Sequence, residues 1–533
     1  MKRFIFLAIF LSLITYGYAD SNVTNINNVR DYSGFGVNFD PQLYYGSDHQ
    51  ASSYLFDMVN KLDQRNIALI QEMGTFADIG INSAIASNLQ TNFVNDVNHA
   101  KNVKKLSFVI YSPYHNFWIA SNSADSNPCI GKNANIQQCI LLVRSYIKTW
   151  LHNNAKAQLV CRHTGSTIAN RNCQFIIGNE RFFMVASKIN NHWWFNNLGS
   201  GYNDFEDMLS MPLIIDALHQ ELAAEGYYNL TPSGKVALPV GINHTVATGN
   251  MLDNPTKPSN KTISVGYKPV MMKDKATMQY VINYRNLKNS QTIKDRLIGF
   301  CQAPEVSVNG LVNDDDSQYI NLASHWQHNA FAQYNTKYLK FSTTDSLCDY
   351  FMKVLAWGAT NQYLDKIDNK EHYQINIIAA HVYPYFVQYM QNTPALATML
   401  NQVYQPLKTY LASINLSYQL SQVFQLGETG YADVATNRSG PKASVTNQIN
   451  YINDVLNTFN HNNANNKLSL VNGDKANVIF WTAFDSASSL DAAHCLHENY
   501  NMGLFYSYFP LCKGIGQSCN GQDKSLSCQA PSA

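Results

Sequence analysis

Short apolar runs alternate with longer stretches whose apolar residues recur every three or four positions, and the alternation extends over most of the 533 residues. The short runs read as strands at 34–39, 79–86, 106–112, 174–179, 235–241, 375–383, 421–427 and 476–484. Between the third and fourth, Ile136, Ile140, Val143, Ile147 and Trp150 share one face of a helix. Residues 205–224 behave similarly, with Met208, Leu213, Ile214, Leu218 and Leu222 on or near one face. Strands separated by helical stretches specify a parallel sheet with helices outside it, and eight strands are the number that closes a barrel. The predicted fold is α/β, a (β/α)8 TIM barrel.

Two segments break the alternation. Residues 249–345 are polar, with Pro255, Pro258 and the run Asp314-Asp315-Asp316, and read as a large insertion on the barrel. The tail from 512 to 533 is rich in Gly and Ser and holds Cys519 and Cys528, which would pin it. Lys2 and Arg3, the apolar run Phe4 to Tyr16 and the small-x-small triplet Gly17-Tyr18-Ala19 have the form of a secretory signal. The expected organisation is therefore a signal peptide at 1–19, barrel at 20–248, insertion at 249–345, barrel again at 346–511, and the tail. Such a leader predicts a secreted, periplasmic or extracellular protein. Its apolar core is too short for a comfortable membrane span, and no membrane association is expected after cleavage.

Charge and cysteine usage narrow the partners. Loss of Lys2 and Arg3 leaves 36 basic residues against 37 acidic ones, a balance that gives no footing to nucleic acid or an anionic membrane. An uncharged or weakly charged substrate fits better. All ten cysteines lie beyond the leader, and an even number in an exported chain favours disulfides. Pairing neighbours would give 129–139, 161–173, 301–348, 495–512 and 519–528, one connectivity among many.

The candidate chemistry sits where strands end. Gly178-Asn179-Glu180 follows the apolar run Phe175-Ile176-Ile177, and Gly427-Glu428-Thr429-Gly430 follows Val423 to Leu426. Ionised Glu is poor core material, but strand C-termini of a parallel barrel open onto its active-site face. Two carboxylates on different strands could flank one glycosidic bond, the arrangement used for hydrolysis with retention of configuration. The segment His381-Val-Tyr383-Pro-Tyr385-Phe386 ends the sixth run, and Phe484-Asp485 with Asn501-Met-Gly503-Leu-Phe505 follows near the end of the chain.

In this set of motifs, taken in order and together with Gly36-Val-Asn38-Phe, the chain resembles glycoside hydrolase family 17, the retaining β-1,3-glucanases and related glucanosyltransferases of clan A. The resemblance spans 34–248 and 350–507. It implies that Glu180 is the general acid/base, Glu428 the nucleophile, Asn179 a donor to the sugar 2-hydroxyl and Tyr383 a donor to Glu428. The implied function is hydrolysis of β-glucan, most naturally β-1,3-linked, with transglycosylation or a catalytically silent glycan-binding barrel as alternatives. Another clan A specificity, such as β-mannan or mixed-linkage glucan, would differ only in the subsites.

Several positions depart from the family pattern. Tyr431 stands where Trp is usual, Ala432-Asp433 replaces Pro-Ser, and Ser486-Ala-Ser-Ser replaces a Pro-Trp-Lys-like stretch. The run beginning Ile81-Asn-Ser-Ala lacks the second-strand pattern of the family. Aromatic platforms for pyranose rings are sought at Tyr114 and Trp118, at Trp193 and Trp194, and at Tyr385 and Tyr431. No cofactor or metal is implied: His325 with His328 and His494 with His497 lack a third ligand. Asp314 to Asp316 likewise lack the alternation of a calcium loop.

Overall fold

The computed structural model describes residues 35–39, 59–64, 67–73, 95–103, 105–110, 127–153, 161, 172–179, 183–189, 192–196, 204–231, 234–238, 240–245, 253–254, 257–258, 260–262, 270–271, 292–299, 328–342, 345, 347–358, 363–365, 370–372, 374–381, 424–431, 445–459, 477–481 and 483. Eight parallel strands close into a barrel: β1 (Phe35–Asn38), β2 (Leu69–Met73), β3 (Lys105–Ile110), β4 (Asn172–Ile177), β5 (Val240–Thr245), β6 (Ile377–His381), β7 (Phe424–Thr429) and β8 (Asn477–Phe480). Gly36 closes the ring, pairing with Leu69 on β2 and with Ile479 on β8. Because every pairing is parallel, all eight C-termini lie at one mouth.

Strand alternation sorts the residues into two shells. Outward positions are apolar: Ile70, Leu106, Phe108, Phe175, Ile177, Ile242, Ile378, Leu426 and Val478 are all buried. The described helices outside the barrel include α1 (Ile136–Asn153), α2 (Asp204–Ala224), α3 (Ala330–Leu339), α4 (Leu347–Gly358) and α5 (Val445–Phe459). Of the stripe read from its sequence, α1 buries Ile140, Val143, Ile147 and Trp150 and leaves Ile136 half-buried, and Trp150 meets the Phe175 ring edge-on at 5.9 Å between centroids. Disulfides join Cys129 to Cys139 and Cys161 to Cys173, both as neighbour pairing anticipates; the other anticipated pairs involve residues outside those described.

The inward shell is different. At the level of Gln71, Ser107, Gln174 and Gln425 the axis is filled with buried polar side chains instead of branched aliphatics. Closer to the mouth, Val109, Ile176 and Ile377 form an apolar cluster against which Trp481 packs. Glycine makes room for this filling. A Cβ on Gly241 would sit 2.6 Å from Ile377 Cβ and 2.7 Å from the Ile377 carbonyl oxygen.

Two strand positions differ from the sequence reading. The second strand is Leu69–Met73, not 79–86, a segment outside the described residues. The run is short and carries Gln71, which reads as a break in an apolar strand but is satisfied inside the barrel. The fifth strand is Val240–Thr245, whereas the run read at 235–241 begins in Gly234–Ala237, paired antiparallel with Tyr228–Thr231 in a hairpin, and takes in only the first two residues of the barrel strand. Both hairpin and strand are short apolar runs, so periodicity does not separate them.

Within the stretch read as an insertion, strands Asn260–Thr262, Val270–Met271 and Thr292–Gly299 join Phe183–Ile189 and His192–Asn196 in one antiparallel sheet. α3 packs on α1 and α2. Its N-terminus is capped by Asn329, whose Oδ1 accepts from the backbone N–H of Phe331 and Ala332. Tyr334 of α3 donates to Asp216 Oδ2 of α2 at 3.0 Å. Burial raises the Asp216 carboxyl above its ordinary range, against the lowering influence of Gln220, Tyr334, Gln374 and Arg144.

Two outcomes follow for stability. Gly241→Ala should destabilise the barrel by about 1–3 kcal/mol through overpacking; an unchanged urea midpoint would contradict the close β5–β6 approach. The folded Asp216 pKa lies above its unfolded value, so its stabilising contribution is complete below the unfolded pKa and is lost as pH rises through the folded one. Asp216→Asn should therefore gain on wild type as pH rises from acid to neutral, and a difference that stays flat across that window would refute the assignment.

Candidate active site

The site is built around a register slip in β7. Leu426 pairs with Ala380 on β6, but the next partner of β6, His381, pairs with Glu428, so Gly427 is the extra residue. On the β8 side the pairing likewise jumps from Leu426 to Thr429. Without the slip Glu428 would keep the outward parity of Leu426. With it, Glu428 shares the register of inward-facing His381. A single bulge turns the carboxylate from the helical layer to the barrel mouth.

Gly427 is required for this geometry. A Cβ there would come within 2.8 Å of Ala379 Cβ and 3.0 Å of His381 Nε2. Its carbonyl accepts from Gln71 Nε2 at 3.1 Å. Ser107 Oγ donates to Gln71 Oε1 at 3.1 Å, while Gln174 Nε2 donates to Ser107 Oγ and to Gln425 Oε1, each at 2.9 Å. This relay leaves β7 at Gln425, passes through β4, β3 and β2, and returns to β7 at Gly427.

Glu428 is 4% exposed, and His381 is fully buried beside it, with Nδ1 3.3 Å from Glu428 Oε2. An imidazole in that position favours the charged form of the carboxylate when its Nδ1 carries a proton. Sequence reasoning placed Tyr383 in this role. The structure brings His381 to Glu428, and Tyr383 lies outside the described residues. The signal that could have found it is parity: Ile377, Ala379 and His381 alternate along one strand face.

Beyond Glu428 the strand end is tied to α5. Thr429 Oγ1 and the Tyr451 hydroxyl are 2.6 Å apart, Gln448 Nε2 donates to the Tyr431 carbonyl at 2.7 Å, and the rings of Tyr431 and Tyr451 lie 5.5 Å apart. Tyr431 is half-buried in this contact, and burial raises its hydroxyl pKa. At the end of β4, Gly178 adopts φ 75°, a conformation that suits glycine, and its N–H bonds to the Ile110 carbonyl at 2.8 Å. That turn leads to half-buried Asn179. Glu180, the next residue, is outside the described residues, as are Tyr114, Trp118 and Tyr385.

Trp193 and Trp194 lie in the strand His192–Asn196, in register with Lys188 and Ser187. Trp481, half-buried at the end of β8 and packed on Val109, Ile176 and Ile377, is an aromatic group at the mouth that the sequence reading did not single out. Among the described residues no group of three or more His, Cys, Asp or Glu is arranged to hold a metal ion.

No protein-family model and no curated protein matches the chain by sequence. In fold it is similar to an endo-laminarinase from Formosa Hel1_33_131, at 10% identity and TM-score 0.39 over 90% of this chain and 84% of that one. It is likewise similar to a β-glucosidase from Thermotoga maritima in complex with castanospermine, at 9% identity and TM-score 0.40 over 92% and 94% of the two chains. An exo-β-1,4-mannosidase, Op5Man5 from Opitutaceae bacterium strain TAV5, is matched at 10% identity and TM-score 0.37 over 89% of this chain and 56% of that one. These are distant likenesses of architecture.

Gly427→Ala tests the bulge directly. The added methyl must push β6 from β7 or displace the His381 ring, so the urea midpoint should fall by about 1–3 kcal/mol in stability. Side-chain NMR signals of His381 should move with it. A variant that is wild-type in both respects would show that the close approach at Gly427 does not exist.

Proposed function

We propose that the chain is an exported retaining glycoside hydrolase acting on β-glucan, with β-1,3 linkages the first choice, in which Glu428 is the nucleophile and Glu180 the general acid/base. The observation that carries this reading is the inward turn of Glu428 at the end of β7, buried beside His381 at the mouth of a parallel barrel. An unpaired buried carboxylate would be costly, and a strand would not acquire a bulge merely to bring one to the axis. A carboxylate that must attack an anomeric carbon needs just this placement.

In the first step a Glu428 oxygen bonds to the anomeric carbon as the glycosidic C–O bond breaks, and the Glu180 proton goes to the departing oxygen. The product is a glycosyl ester on Glu428. Water then attacks the same carbon, Glu180 takes its proton, and the ester bond breaks to return the Glu428 carboxylate. Retention calls for the two carboxyl groups to stand about 5–5.5 Å apart, against about 6.5–9.5 Å for inversion. In this reading Asn179, one residue before Glu180, donates to the 2-hydroxyl of the bound sugar, and Tyr431 and Trp481 offer aromatic surface near the nucleophile. If a sugar hydroxyl replaces water in the second step, the same site performs transglycosylation.

The protein lacking residues 1–19, incubated with soluble β-1,3-glucan, should release oligosaccharides. Glu180→Gln should lower turnover by about 10²–10⁴-fold, the usual worth of a general acid/base, and Glu428→Gln should abolish it. Products longer than the input would indicate transfer to sugar. A folded wild-type protein that binds the polymer without cleaving it would sink the hydrolase reading for this substrate and favour a glycan-binding barrel.

A further inference from the structure

We propose that Gln71 is a positioning residue for Glu428, acting through the carbonyl of Gly427; the inference rests on the reading of Glu428 as nucleophile. Gln71 belongs to β2, separated from β7 by β1 and β8, yet its Nε2 reaches across the axis to Gly427 O at 3.1 Å. The acceptor is the extra residue of the bulge, where β7 has no register partner on β8 between Leu426 and Thr429. A ladder interrupted at that point fixes the backbone less tightly than a regular one. A donor from the far wall supplies the missing constraint one residue before the carboxylate.

Gln71 is itself held. Ser107 Oγ donates to Gln71 Oε1, which commits the amide nitrogen to Gly427, and Ser107 is in turn the acceptor of Gln174 Nε2. Gln174 also bonds Gln425, so the relay grips β7 at 425 and at 427, on either side of Leu426 and directly before Glu428. All four side chains are buried, so the relay is closed off from bulk solvent. Gln71 touches no reacting atom; its effect on Glu428 is geometric. Small errors in the placement of a reacting group cost large factors in rate.

The test is Gln71→Met, which keeps the length and volume of the side chain and removes both amide contacts. Tyr334→Phe, which loses a buried hydrogen bond in the outer helical layer, controls for stability loss alone. On soluble β-1,3-glucan, Gln71→Met should lower kcat by about ten- to a hundredfold, with KM within about threefold of wild type, and Tyr334→Phe should change neither. Side-chain NMR of His381, identified by its loss in His381→Gln, should shift in Gln71→Met and not in Tyr334→Phe. Wild-type kcat in Gln71→Met with an inactive Glu428→Gln would overturn this inference and leave the nucleophile assignment standing. Activity in Glu428→Gln would overturn the assignment itself. If wild type cleaves no β-1,3-glucan, the His381 signals decide: wild-type positions in Gln71→Met mean that Gln71 does not set the bulge.

Discussion

Side chains along a barrel strand alternate between the axis and the helices, so a carboxylate after an outward leucine and an inward glycine should face the helical layer. The extra residue in β7 at Gly427 reverses that outcome for Glu428, and the rest of the site is arranged around it. The slip is possible only because Gly427 has no Cβ, since Ala379 and His381 already occupy the space one would take. It brings His381 level with Glu428, which places an imidazole against a carboxylate at 3.3 Å. Beyond the bulge, Thr429 turns to α5 and meets Tyr451, so the strand is fixed again within one residue of Glu428.

The polar filling of the barrel follows from the same constraint. A layer of branched aliphatics packs well but donates nothing, and a buried backbone carbonyl displaced from its ladder needs a donor. Amide side chains can supply that donor while spanning the axis, provided each is satisfied by its neighbour. The directions of the bonds are consistent: Gln174 donates to Ser107, Ser107 to Gln71, and Gln71 to Gly427. None of the four relay residues carries a formal charge, so the relay constrains the backbone without adding a competing charge beside Glu428.

These features explain which parts of the protein were legible in the sequence. The barrel and its first helix were, because the outward faces of the strands and the stripe of α1 are apolar at regular spacing. Glu428 was legible as well, since an ionisable residue directly after an apolar run stands out. β2 was misplaced because its inward position is Gln71, and a polar residue inside a short run looks like the end of a strand until the partners across the axis are known. β5 was displaced by a preceding hairpin whose second strand, Gly234–Ala237, is also short and ends three residues before the barrel strand begins. His381 beside Glu428 was missed for a related reason: parity with Ile377 and Ala379 puts its side chain inside the barrel, but its level with Glu428 depends on a one-residue slip between two strands.

The same reasoning bears on how the motif Gly427-Glu428-Thr429-Gly430 should be understood. Its first glycine serves strand packing, because it is the position at which β6 and β7 approach too closely for a methyl group. Its threonine serves the junction with α5. The glutamate has no packing task that an apolar residue would not perform better, as a buried carboxylate is costly unless charge or hydrogen bonding compensates it. A bulge, a glycine, a histidine and a four-residue relay together set the position of this one carboxylate, as the proposed role of Glu428 requires. The barrel supplies the rigid frame, and the slip in β7 turns the carboxylate at its strand end from the helical layer to the mouth.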